Sequence, residues 1–268
     1  MLPPPPDTLE RWAWELITTT ELSRKLSPPP PPEATEPDAP PRRLTAPSRP
    51  APLRVVERAP KTPSPEAMRE PAMRARVLHG FIHHEVQAAE LMAWAILAWP
   101  EAPPAFRRGL AQIARDEARH VAMYAEHLER LGARYGDLPV RDWFWQRLPT
   151  ARDPAQFVAT MGVGLEGANL DHAARFAQRF SAAGDPEGAR VVALVGEEEL
   201  PHVRFALRWW QRFTDAPELT YARWAASLTP PLTPWVMRGT PLDRDARARA
   251  GFSSDFIAAL EAAGPERP

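Results

Sequence analysis

The chain contains no cysteine among its 268 residues. Disulfides, thiolate zinc sites, iron–sulfur clusters and thiol nucleophiles are thereby excluded. Any bound metal must be held by His, Asp and Glu, a donor set that suits iron, manganese or zinc. Lysine is almost missing as well: Lys25 and Lys61 are the only two, and arginine carries the rest of the positive charge. Alongside abundant Ala and Pro, this usage fits a GC-rich coding bias better than a functional signal. No uninterrupted apolar run reaches the roughly 18 residues of a membrane span. The opening MLPPPPDTLE has neither the basic region nor the apolar region of a secretory signal. The expected location is the cytoplasm, with no membrane partner. A formal net charge of −1 supplies no global attraction for nucleic acid, so only a local basic patch could serve that purpose.

Proline and helical periodicity divide what is present. More than half of the 34 prolines precede residue 72. Asp7 to Leu26 has helical spacing of Leu9, Trp12, Trp14, Leu16, Ile17 and Leu22, predicting one helix within an N-terminal docking segment, residues 1–26. Residues 27–70 read as a proline-rich connector, either extended over the surface or partly disordered. Residues 71–214 predict a four-helix bundle, with helices opening near Pro71, Pro103–Pro104, Asp153-Pro154 and Asp185-Pro186. Each opening places a proline in the first turn, and two add an aspartate cap. Gly132 and Gly184 are the expected stops of the second and third helices. The links within each helix pair are short. The link between pairs is long and contains Trp143, Phe144 and Trp145. The expected fold class is therefore all-α: a ferritin-like antiparallel four-helix bundle with one long crossover between helices 2 and 3. Residues 215–268 predict a wrapping tail with a short helix near Ser253–Leu260.

Two Glu-x-x-His pairs stand out, Glu117/His120 in the second helix and Glu199/His202 in the fourth. Residues three apart share a helix face, so each pair can meet one cation. One such pair is expected about once by chance in a chain this long. Here each is preceded by a glutamate on the partner helix: Glu85 lies 32 residues before Glu117, and Glu166 lies 33 before Glu199. Both halves also carry a second carboxylate five residues on, Glu90 after Glu85 and Asp171 after Glu166. This is the donor pattern of bundle-core di-iron carboxylate proteins. Oxygen ligands suit both iron oxidation states, and one histidine per metal leaves coordination positions open. The expected metal ligands are Glu85, Glu117, His120, Glu166, Glu199 and His202, holding two iron ions (Fe/Fe or Mn/Fe). Spacing symmetry favours Glu85 over Glu90 without closing the choice.

Metal-bound histidines usually pass their second N–H to a carboxylate. Asp116, Glu198, Asp171 and Glu90 are the candidates for that outer role, with Asp116 assigned to His202 and Glu198 or Asp171 to His120. Tyr124, four residues beyond His120, and His84, beside Glu85, are pocket candidates, although packing alone accounts for a tyrosine at that spacing. His79, His127 and His172 are expected to have no specific role. Pro201 interrupts the second Glu-x-x-His and should kink its helix.

The segments HHEVQAAEL (83–91), DEARH (116–120), LEGANLD (165–171) and EEELPHVRF (197–205), with TLERWAWELI near the N-terminus and GTPLDRDARARAGFSSDF in the tail, carry a resemblance. Over most of residues 8–260 the chain resembles an uncharacterised bacterial ferritin-like family, a domain of unknown function. Its superfamily includes ferritins, rubrerythrins and a tRNA hydroxylase. The resemblance implies a di-iron site with O2- or peroxide-dependent oxidase or hydroxylase activity, and leaves the substrate open. The alternatives are an iron-handling ferroxidase or storage-like protein and a metal-free scaffold bundle. The partners this implies are a small-molecule or RNA substrate, an electron donor and a second copy of the chain as a homodimer.

Overall fold

The computed structural model describes residues 2–58 and 61–264. Parts of the connector (59–60) and of the tail (265–268) therefore lie outside the described residues. The protein is all-α. Among the described residues there is no strand, only an isolated bridge between Val55 and Val140. The chain forms two compact units, residues 1–149 and 150–268. No helix of the described residues is long and apolar enough to cross a membrane.

In the first unit α1 (Leu9–Thr18) opens at Thr8, whose hydroxyl accepts from the Arg11 N–H at 3.2 Å. Its buried face comprises Leu9, Trp12, Ala13, Leu16 and Ile17, and it packs on α3 (Pro71–Ala98). The single helix expected over 7–26 is broken: Thr19 is extended and α2 spans Leu22–Leu26. Three successive threonines favour the break, since β-branched residues lose rotamer freedom in a helix. Its consequence is that Lys25 folds back, its ammonium donating to the Leu16 and Ile17 carbonyls at the open end of α1 (3.1 and 3.0 Å).

α3 is buried along almost its whole second half, as expected for a helix apolar on nearly every face. It lies against α4 (Pro104–Arg130), which Gly132 closes at φ +81°, a left-handed conformation that glycine adopts without a Cβ penalty. The connector runs extended and is tied down. Arg42 N–H donates to the Leu97 carbonyl (2.8 Å), Ser48 N–H to Ile17 (3.0 Å), and the Trp94 indole to Leu44 (2.9 Å). The crossover after α4 is fixed by His79, whose Nε2 accepts from the Gly136 and Leu138 N–H groups (3.0 and 3.3 Å). The expectation of no specific role for His79 is thus corrected: it satisfies two backbone donors of the crossover.

The second unit repeats the helix pair with an altered first member. Asp153 caps α5 (Pro154–Val158) by accepting from the Gln156 N–H at 2.8 Å. The helix then widens into a π-helical stretch, Ala159–Glu166, and resumes as α6 (Gly167–Ala182). Gly162 lies within this wide segment, and a Cβ there would come 2.3 Å from that of Ala206. The close approach is to α7 (Pro186–Thr214), which Asp185 caps through the Gly188 N–H (2.8 Å). α7 continues through Pro201, whose ring lies on the exposed side. The tail adds α8 (Tyr221–Ser227), α9 (Arg244–Ala250) and α10 (Ser254–Ala262). The Trp224 indole of α8 donates to the Ala159 carbonyl at the start of the π-helical stretch (2.9 Å). α9 packs on α6 and α7.

Burial lowers the pKa of His79 to about 4, because a charged imidazole there would be poorly solvated and could not accept two N–H bonds. An unfolded histidine titrates near 6.5, so between about 6.5 and about 4 the unfolded chain binds the extra proton. The stabilisation from His79 is complete above the upper value and is lost as pH falls through the lower one. Urea unfolding midpoints should therefore fall from pH 7 to pH 4.5, and His79→Gln should reduce that fall. An unchanged pH dependence in the variant would refute the role assigned to His79.

Candidate metal centre

Each unit gathers one glutamate and one Glu-x-x-His pair. In the first, α3 carries Glu85 and α4 carries Glu117 and His120, and one ligand atom from each lies within 4.8 Å of the others. Glu117 and His120 are fully buried, and His120 Nδ1 is 3.1 Å from Glu117 Oε2. In the second, Glu166 ends the π-helical stretch and α7 carries Glu199 and His202. Their ligand atoms again lie within 4.8 Å of one another. His202 Nδ1 is 2.9 Å from Glu199 Oε2, and the Asn169 amide donates to Glu199 Oε1 at 3.1 Å. The turn-wise spacing of Glu-x-x-His produces both pairs, and the partner helix supplies the third donor. Two buried carboxylates this close are costly unless a cation is held between them or a proton is shared. The donor set, hard oxygens with a single imidazole, fits iron or manganese in either unit.

Glu90 and Asp171 are engaged elsewhere. Both are buried, each five residues beyond a candidate ligand, and each is seized by cations from the segments flanking the helix pairs. Glu90 Oε1 accepts from Lys25 Nζ (2.6 Å) and Arg49 Nη1 (2.6 Å), and its Oε2 from Arg49 Nη2 (2.9 Å) and the Trp145 indole (2.8 Å). Asp171 accepts from Arg247 Nε (3.0 Å) and Nη2 (2.7 Å), and from the Gly239 and Asp243 N–H groups (2.7 and 2.8 Å). Glu90 thus secures the N-terminal segment, connector and crossover, and Asp171 secures the tail. Trp145 anchors the crossover.

The cluster around Glu90 extends outward. Arg49 also reaches Asp142 (2.7 Å), and His83 joins Asp142 through Nε2 (3.1 Å) and the Tyr135 hydroxyl through Nδ1 (2.7 Å). Burial would raise the Asp142 pKa, but the bonds from His83 and Arg49 outweigh it and hold the carboxyl at about 2. Burial lowers the pKa of His83 despite Asp142, and burial lowers that of Lys25 despite Glu90. Burial raises the Tyr135 hydroxyl above its ordinary range. No local spacing signals this cluster, because its members come from five separate stretches of chain. Its one sequence signal is Lys25, one of only two lysines.

The remaining candidates are placed as follows. Asp116 is half-buried and accepts from the Gln112 amide (3.1 Å) on its own helix, and Glu198 is half-buried on α7. Tyr124 is buried, its ring 5.6 Å from that of Phe81. His84 is exposed and stacks on Phe144 at 5.3 Å. Trp143 is covered on one face by the Arg147 guanidinium, 4.2 Å from the ring centroid.

A buried carboxylate replaced by its amide leaves its cations uncompensated. Glu90→Gln would leave Lys25 and Arg49 opposed by Asp142 alone, and Arg247→Ala would strand Asp171. Each should lower unfolding free energy by about 3–5 kcal/mol in urea titrations. A loss below about 1 kcal/mol, the range of exposed pairs, would show that these clusters do not hold the flanking segments.

Comparison with known proteins agrees with the extent of this architecture. A curated relative from Haemophilus influenzae, described as an uncharacterized protein, is 26% identical over 200 residues, covering 70% of this chain and 68% of its own. No solved structure matches the chain. The family model described as "Protein of unknown function (DUF455)" matches residues 8–258, from the cap of α1 into α10 and so including both candidate constellations and the ion pairs of Glu90 and Asp171. The chain belongs to the DUF455 family.

Proposed function

We propose that this chain is a ferritin-like di-iron carboxylate protein that oxidises or hydroxylates an organic substrate with O2 or peroxide. The observation that carries the reading is the repeated constellation: a glutamate gathered with Glu-x-x-His, twice, on two pairs of long helices. In ferritin-like di-iron proteins this donor set, a glutamate with Glu-x-x-His repeated, holds two metal ions. Glu85, Glu117 and His120 would hold one iron ion, and Glu166, Glu199 and His202 the other. Bound iron would supply the electron transfer to the oxidant.

The protein's own part is binding, orientation and shielding. Six ligands drawn from long helices are positioned by packed backbone rather than by loops. The Nδ1 contacts of His120 and His202 with their own glutamates restrain both imidazoles. Asn169, donating to Glu199, biases the orientation of that carboxylate. The π-helical stretch ending at Glu166 sets that ligand apart from its counterpart Glu85, which lies in regular α-helix. Such interruptions frequently accompany functional sites. Burial of all six residues keeps bulk water from the donors.

The test is metal content by mass spectrometry on protein from iron-supplemented cells, read with thermal unfolding before and after adding Fe(II). About two iron (or iron plus manganese) ions per chain are expected, with a rise in unfolding temperature because a ligand of the native state stabilises it. Glu117→Ala/Glu199→Ala should lose both signals. Metal-free protein that gains no stability from iron would overturn the reading in favour of a scaffold bundle.

A further inference from the structure

A second site lies in the first unit, on a different face of α3 from Glu85. Arg76, Gly80 and His84 recur at four-residue spacing on that face, and the crossover residues Pro139, Arg141 and Trp143 close over it. Together with their neighbours they enclose a cleft of about 210 Å³. A side chain at Gly80 would meet nothing within 4 Å, so the floor is open.

The charge of this cleft is one-sided. Its lining includes two arginines and no carboxylate. Neither Arg76 nor Arg141 forms an ion pair among the described residues, and the Nε of each is buried with no hydrogen-bond partner there. The difference from other arginines of this unit is the missing ion pair: Arg49 is bound by Glu90 and Asp142, Arg42 by Glu36, and Arg107, whose Nε is likewise unpartnered, by Glu10. The nearest acid in sequence, Asp142, is already ion-paired with Arg49 and hydrogen-bonded to His83. Guanidinium groups that line a concave site without an acidic partner are suited to carboxylate or phosphate oxygens. Trp143 gives the wall a flat apolar surface, and the volume suits a compact molecule.

We propose that this cleft binds a small organic anion, a phosphate or carboxylate carried on a planar ring, with Arg76 and Arg141 receiving the anionic group and the ring lying beside Trp143 over Gly80. The site uses none of the metal-ligand candidates, so it stands or falls independently of iron binding.

The test is isothermal titration of the full-length protein with phenyl phosphate and, separately, benzoate, with inorganic phosphate and phenol as controls. Binding of at least one ring-bearing anion, tighter than either control, is expected. Which of the two binds identifies the anionic group. Arg76→Gln and Arg141→Gln should each weaken it by about tenfold or more, the effect of losing one charge-assisted hydrogen bond. Gly80→Leu removes no charge and favours the helix, yet places a side chain in the open floor. It should abolish binding while leaving the unfolding temperature unchanged or raised. Failure of both ring-bearing anions to bind, binding no tighter than inorganic phosphate, or binding that survives Gly80→Leu would overturn the proposal.

Discussion

The ion pair between Asp171 and Arg247, with its counterpart between Glu90, Lys25 and Arg49, is the interaction on which both units depend. Each carboxylate is buried in a helix of the central pair, and each cation comes from a segment outside that pair. A buried carboxylate without a partner would be severely destabilising, so the helix pair and its flanking segment form as one unit. The N-terminal segment, connector and tail are therefore parts of the fold rather than appendages. The family match runs from residue 8 to residue 258 and so covers these segments as well as the four long helices.

The same repeat gives the two carboxylates of each half different settings. Glu85 and Glu166 are gathered with a Glu-x-x-His, whereas Glu90 and Asp171, five residues further on, are tied to arginine. A shift of five residues turns a side chain about 140° around a helix, so the two carboxylates leave the helix on different sides. One side meets the partner helix and its histidine, and the other meets the flanking segment. This geometry is why Glu90, although buried and acidic, binds Lys25 and Arg49 while Glu85 joins the constellation.

Much of this was legible in the sequence. The four long helices begin where proline and aspartate mark them, because the cap and the first-turn proline act locally. The Glu-x-x-His pairs were legible for the same reason, since three-residue spacing on a helix leaves little freedom. The roles of Glu90 and Asp171 were not, because their partners lie 41 and 76 residues away in segments with no periodic pattern. The break of the first helix at Thr19 goes with Lys25 turning back to Glu90, another distant contact, and the local threonines only favour it. The π-helical stretch depends on Gly162 meeting Ala206 and on Trp224 reaching Ala159, contacts that no window of neighbouring residues contains.

On the proposed reading, Glu85, Glu117, His120, Glu166, Glu199 and His202 hold two metal ions. Anomalous scattering at the iron edge, from crystals grown after Fe(II) loading, tests it most directly. Two strong peaks are expected, one bounded by Glu85, Glu117 and His120 and the other by Glu166, Glu199 and His202, with none beside Glu90 or Asp171. Crystals of iron-loaded protein with no peak at either constellation would contradict it.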